Sequence, residues 1–186
     1  MILAHFLLNV NEANAFLLGC RETKEALLVD AGEYPPELDA VLEGEGLRLT
    51  GVFITHDHFD HTDGLRDVLE RHPAPVYAYQ AETGGCEAQV VRQGDIVKVG
   101  RWAGTVLETP GHTPDGISLA FPGLVFSGDA LFAGSIGGTA SASLARTLVN
   151  HIEEQLFTLP LETEIYTGHG PATTVAIEKT HNPFFL

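Results

Sequence analysis

Residues 52–61 read Val-Phe-Ile-Thr-His-Asp-His-Phe-Asp-His. Val52-Phe53-Ile54 is a continuous apolar run of the kind that forms a buried strand. It delivers the chain into a loop with three imidazoles, His56, His58 and His61, and two carboxylates, Asp57 and Asp60. These are donors that zinc, iron and manganese accept, and a strand-to-helix loop can fold them toward one point. A merely solvated polar loop is the weaker reading of so dense a string. Just beyond it, Leu65, Val68 and Leu69 share one helical face, with Asp63 as a candidate cap, and Pro73 ends the helix.

Upstream, residues 2–8, 15–19 and 26–29 read as strands separated by polar turns, the last running into Asp30-Ala31-Gly32. Leu38, Val41 and Leu42 have helical spacing, stopped by Gly44 and Gly46. Downstream, strands are expected at residues 76–79, 96–99, 105–108, 117–121, 124–126 and 164–166. Leu144, Leu148, Ile152 and Leu156 recur every fourth residue and predict one amphipathic helix ending before Pro160, and a short helix is expected around residues 175–180. Three further metal-ligand residue types fall just past expected strands: His112 in Thr-Pro-Gly-His-Thr, Asp129 in Phe-Ser-Gly-Asp-Ala, and His169 in Tyr-Thr-Gly-His-Gly.

Composition narrows the function classes. With 186 residues, 44% hydrophobic and 19% charged, the chain is globular, and one domain is expected. Ten Lys+Arg against 25 Asp+Glu give a net charge of −15, which repels a phosphate backbone or an anionic membrane and argues against nucleic-acid and membrane partners. The apolar stretches are too short to span a bilayer and the start lacks a basic signal-peptide region, so a cytoplasmic location is expected. Cys20 and Cys86 are too few for a disulfide framework or a four-cysteine zinc site. His5, His72, His151 and His181 lie outside the ligand phrases and read as surface or structural histidines.

The ordered set His-x-His-x-Asp-His, then His, Asp and His after strands, resembles the metallo-β-lactamase-fold hydrolases over residues 30–170. Within that superfamily TPGHTPDG, LVFSGDALFAGS, YTGHGPATT and the ending EKTHNPFF are most similar to short glyoxalase II-like (hydroxyacylglutathione hydrolase-like) proteins. The resemblance implies an α/β fold, a four-layer αββα sandwich, forming a single domain over residues 1–186 with its site at one edge of two sheets. Carried over residue by residue, His56, His58 and His112 would bind one metal, Asp60, His61 and His169 a second, and Asp129 would bridge them. Two divalent ions are implied, zinc foremost, with iron or manganese as alternatives. Asp30 matches a strand-end aspartate that supports the ligands.

The function so implied is hydrolysis of a small-molecule thioester or ester by a metal-bound hydroxide, with Asp60 and Asp129 in the catalytic roles. The alternative is a persulfide dioxygenase of the same fold, with a single iron on His56, His112 and Asp129. Two departures bear on the substrate. The C-terminal helical domain with which full-length glyoxalase II binds glutathione is expected to be missing, and Gly138 stands where the relatives carry an arginine after the bridging aspartate.

Overall fold

The computed structural model describes residues 1–186. The first half forms β1 (Ile2–Leu7), β2 (Asn14–Gly19), β3 (Glu25–Val29), α1 (Leu38–Glu45), β4 (Arg48–Phe53), α2 (Phe59–Thr62), α3 (Leu65–Arg71), β5 (Val76–Ala78), β6 (Glu82–Thr83), β7 (Cys86–Glu87) and β8 (Gln89–Val90). The second half forms β9 (Ile96–Val99), β10 (Trp102–Glu108), β11 (Ile117–Phe121), β12 (Leu124–Gly128), β13 (Leu131–Phe132), β14 (Ser135–Ile136), α4 (Ala142–His151), β15 (Glu164–Thr167), β16 (Thr173–Thr174) and α5 (Val175–His181). Two six-stranded sheets result, ordered β1-β2-β3-β4-β5-β8 and β16-β15-β12-β11-β10-β9.

Alternation along the strands assigns each side chain to one of three apolar layers. On β2, Leu17 faces the helices α1 and α3 with Leu38, Leu42, Leu65 and Val68, while Phe16 and Leu18 face the opposite sheet. On β12, Phe126 packs between the sheets while Val125 turns outward to Leu148 and Ile152. The three clusters are therefore the three interfaces of an αββα sandwich, as the sequence led one to expect. No helix is long and apolar enough to cross a membrane.

The helix expected through Leu156 is interrupted: α4 ends at His151 and a π-helical turn spans Ile152–Leu156, with the Phe157 N–H donating to the Ile152 carbonyl at 2.9 Å. A four-residue repeat drifts around an α-helix by about 40° per step, and one wider turn resets it. Leu148, Ile152 and Leu156 consequently all stay buried, while Leu144 is exposed. Gly44 lies inside α1 and the chain stops at Gly46, whose φ of 64° only glycine adopts at little cost. The N-cap of α3 is Gly64 rather than Asp63, without a side-chain cap bond.

The topology collects strand ends at one edge. β3 and β4 run parallel, as do β12 and β15, so Asp30, Thr55, Asp129 and His169 follow carboxyl ends that lie together. Cross-sheet ties hold that edge closed: the Ile117 N–H donates to the Thr55 carbonyl at 2.9 Å and the Asn14 N–H to the Gly168 carbonyl at 2.8 Å.

Candidate metal centre

The loop after β4 is anchored before its histidines begin. The Asp30 carboxylate accepts from the Thr55 N–H at 2.8 Å and from Thr55 Oγ1 at 2.9 Å. Asp30 itself has a φ of 60°, a conformation that aspartate tolerates better than most residues, and it is buried. Beyond His56 the Asp57 N–H donates to Asp115 Oδ2 at 2.9 Å. Asp57 Oδ1 in turn accepts from Thr83 Oγ1 at 2.7 Å and from the Gly84 N–H at 2.8 Å. Asp57 thus ties the loop to its neighbours and contacts no imidazole. The short helix α2 then turns Asp60 and His61 inward, and both are buried.

All seven side chains singled out in the sequence converge. His56, His58, His112 and Asp129 form one group and Asp60, His61 and His169 another, with donor atoms inside each group within 4.8 Å of one another. Asp129 lies between the two: its Oδ2 is 3.5 Å from His112 Nε2 and 3.6 Å from His169 Nε2, and its Oδ1 is 3.4 Å from His61 Nε2. On the far side, His169 Nε2 is 3.5 Å from Asp60 Oδ2, which also accepts from Asn11 Nδ2 at 3.0 Å. Gly168 makes this proximity possible, because a Cβ there would stand 2.0 Å from Asp129 Oδ1.

The hydrogen-bond network assigns the imidazole tautomers. His61 Nδ1–H donates to Asp30 Oδ2 at 2.9 Å and His112 Nδ1–H to the Gly138 carbonyl at 2.6 Å. Thr55 Oγ1 spends its proton on Asp30 and so accepts from His56 Nδ1–H at 3.1 Å. In its neutral form, each of these three rings therefore turns an Nε2 lone pair inward. His58 presents Nδ1 instead, 3.0 Å from both His56 Nε2 and His112 Nε2.

These atoms fit a metal ion. Four ligands at the usual zinc–nitrogen distance of about 2.05 Å stand about 3.3 Å apart along a tetrahedral edge. The separations of 3.0, 3.0, 3.5 and 4.0 Å in the first group, and of 3.4, 3.5 and 3.6 Å around the second, lie on both sides of that value. His61 Nε2 and Asp129 Oδ1 are buried with no hydrogen-bond partner, a costly arrangement for two polar atoms unless a cation sits between them.

Electrostatics without a cation are strained. Burial, followed by the charge of His61, holds the His56 imidazole well below its ordinary value. Burial works against a charged His61 as well, but the Asp30 and Asp129 carboxylates outweigh it and push that ring up to about 10. Asp129 is pulled down to about 2, burial being overcome by the charged His61 ring, whose Nε2 stands 3.4 Å from Oδ1. Such displacements mark a site built for another charge. One side of it is buried, while His58 is exposed and His112 and His169 are half-buried; beside them Phe59 is exposed, and the Phe132 ring meets His169 edge-on with centroids 6.0 Å apart.

Sequence reasoning located the ligand candidates and Asp30 but missed Thr55, Asn11, Asp115 and the Gly138 carbonyl. Thr55, Asp115 and Gly138 stood in phrases that had drawn notice for other residues or another reason, whereas Asn11 stood in none.

Comparison with known proteins agrees with this architecture. Hydroxyacylglutathione hydrolase from Alkalilimnicola ehrlichii is 39% identical over 155 residues, covering 80% of this chain, which spans only 58% of that relative's length. The probable metallo-hydrolase YqgX of Bacillus subtilis is 34% identical over 196 residues, covering 93% of this chain and 92% of its own. The crystal structure of ETHE1 from Myxococcus xanthus superimposes with a TM-score of 0.85 at 36% identity, covering 98% of this chain and 84% of that one. The family model described as metallo-beta-lactamase superfamily matches residues 8–169, a stretch that contains all seven convergent side chains, and the chain belongs to that superfamily.

Proposed function

We propose that the chain is a dinuclear metallo-hydrolase that cleaves a thioester or ester, acting as one catalytic domain over residues 1–186. The observation that carries the reading is Asp129, with one carboxylate oxygen toward His112 and His169 and the other toward His61, so that two groups of ligands share a single residue. His56, His58 and His112 would hold one divalent cation and Asp60, His61 and His169 the other. Zinc suits this nitrogen and carboxylate set, and iron and manganese are compatible with it. Bound there, a pair of cations supplies a water of lowered pKa and polarises the carbonyl to be attacked.

The chain's own residues do the rest. Asp60, held by Asn11 Nδ2, and Asp129 present carboxylate oxygens that orient the attacking water. The buried wall of His56 and His61 keeps bulk water from that side, and the opening by His58 and His112 admits the acyl group. The rim at Gly138 is empty of side chain, since a Cβ there would meet nothing within 4 Å. An anionic leaving group such as glutathione finds no fixed cation at that point, and the leaving thiol or alcohol is read loosely.

The test is metal analysis of the purified protein with hydrolysis of lactoylglutathione, of an acyl thioester of a small neutral thiol, and of a simple lactone. Two ions per chain and comparable kcat/KM values for the two thioesters are expected. One tightly held iron with oxygen uptake on glutathione persulfide would replace the hydrolase with the dioxygenase, which the ligand group of His56, His112 and Asp129 alone would satisfy. A glutathione preference above about a hundredfold would show a thiol-recognition site.

A further inference from the structure

Glu178 lies in α5, and its residue is only 1% exposed. Its Oε1 accepts from Thr173 Oγ1 at 2.6 Å, and its Oε2 accepts from the Gly134 N–H at 3.0 Å and from Asn182 Nδ2 at 2.8 Å. All three donors are neutral. A carboxylate buried without a cation is costly, and an apolar side chain would pack α5 against the sheet more cheaply. The position therefore holds something that packing alone would not.

What it holds is the hairpin of β13 and β14. Gly134 is the hairpin's turn, and Asn182 Nδ2 also donates to the Ser135 carbonyl at 3.0 Å, so both ties grip the tip. From that tip the chain leads both ways into the metal centre. Backward lies Phe132, edge-on to His169, and then Asp129. Forward lies Gly137, where a Cβ would stand 1.9 Å from the Asp129 carbonyl oxygen and 3.0 Å from His112 Cβ. Next comes Gly138, whose carbonyl accepts from His112 Nδ1–H at 2.6 Å. Residues 129–138 thus form a loop that begins on one ligand candidate and ends on the partner of another; Leu131 and Ile136 bury its flanks, and its tip is tied by the bonds to Glu178 and Asn182.

We infer that Glu178, together with Asn182, is a positioning residue for the metal centre: it fixes the loop of residues 129–138 and, through the Gly138 carbonyl, the orientation of His112. This rests on the reading of the seven convergent residues as ligands. Glu178→Gln preserves shape, but one amide oxygen cannot replace two acceptor oxygens, and its NH2 confronts a donor. Asn182→Ala removes the Ser135 tie by a separate route. Leu42→Ala truncates a buried side chain of α1 that belongs to a different core layer from the loop and makes none of these bonds.

Each variant is measured for thermal stability, for cobalt affinity at each ligand group, and, without metal, for the ring 15N–1H signals of His112. Glu178→Gln and Asn182→Ala are expected to weaken the group containing His112 by about tenfold, the lower end for outer partners of metal ligands, and to shift or broaden the His112 Nδ1–H signal. Leu42→Ala, compared at equal loss of stability, leaves both unchanged. A cobalt affinity in Glu178→Gln and Asn182→Ala no lower than in Leu42→Ala, or an unmoved His112 signal, overturns the inference. Failure of the wild-type protein to bind two ions would instead refute the dinuclear reading, and the metal-free His112 signal would still decide whether Glu178 acts on that ring.

Discussion

Replacing Asp30 by Asn tests the orientation of the metal centre most directly, because it keeps shape and backbone preference and changes only donors and acceptors. Asparagine tolerates the φ of 60° at this position. The carboxylate accepts three bonds, from the Thr55 N–H, Thr55 Oγ1 and His61 Nδ1–H. An amide can accept the first only by turning its NH2 toward the other two. His61 must then offer an Nδ1 lone pair and move its proton to Nε2, the atom that faces Asp129. Thr55 Oγ1, now accepting from the amide, donates to His56 Nδ1 and forces the same exchange there. One substitution thus puts the wrong tautomer into both ligand groups.

Loss of such an outer partner typically weakens metal binding by about 10–100-fold, or about 1.4–2.7 kcal/mol per site. Competition titration of zinc against a chromogenic chelator should show both affinities of Asp30→Asn reduced to that extent, whereas His169→Ala reduces mainly one. Wild-type affinity in Asp30→Asn, or a loss confined to the His61 group with the His56 group intact, would refute the relay through Thr55.

Gly168→Ala places a methyl 2.0 Å from Asp129 Oδ1, and a displacement of that carboxylate by about 1 Å should cost on the order of a hundredfold in kcat with the fold retained by circular dichroism; an active variant would show that Asp129 has room to move. In the metal-free protein, His61 has a folded pKa of about 10 against an ordinary 6.5, so its contribution to stability is full below 6.5 and is lost as pH rises through 10. The buried His56, shifted the other way, contributes above 6.5 and loses that contribution as pH falls. The melting temperature of the stripped protein should therefore peak near neutrality and fall by several degrees toward pH 10, on the order of 2–4 °C per kcal/mol for a chain of this size, and a flat profile would contradict the ion pair. Gly138→Arg fills open space and leaves the carbonyl that His112 uses, so kcat/KM for a glutathione thioester should rise by about one to two decades while that for a neutral thioester stays constant; equal changes for both would show that charge at this rim does not select the leaving group.

What could be read from the sequence was whatever the chain places locally. Val52, Phe53 and Ile54 announce β4, and the ligand candidates after it follow strand ends, so strand periodicity and residue type together located all seven. The layered sandwich came from the resemblance that the ligand phrases carry, because Ala15-Phe16-Leu17-Leu18 is apolar throughout and does not by itself show which side chain enters which layer. The π turn after His151 was not legible, because apolar spacing tells which face is buried and not how the backbone keeps it there. Asn11 suits the φ of 52° it adopts, but nothing in Asn-Glu-Ala-Asn announces that it supports Asp60, 49 residues away.

The ligand orientation was hidden for a different reason. Three histidines turn Nε2 inward because each Nδ1–H has an acceptor, but the acceptors are a carboxylate for His61, a hydroxyl for His56 and a main-chain carbonyl for His112. The same task falls to three chemically unlike groups, so no residue pattern can mark it. At Gly138 the sequence showed only the want of a cationic side chain, while the atom that matters belongs to the backbone and would be present with any residue there. Its placement depends on the path of residues 129–138, which is kept by the buried Leu131 and Ile136 and by the bonds to Glu178 and Asn182, 44 and 47 residues further along the chain. A motif names the atoms that can bind a cation. Whether those atoms point at it is decided by groups whose only common property is where the fold puts them.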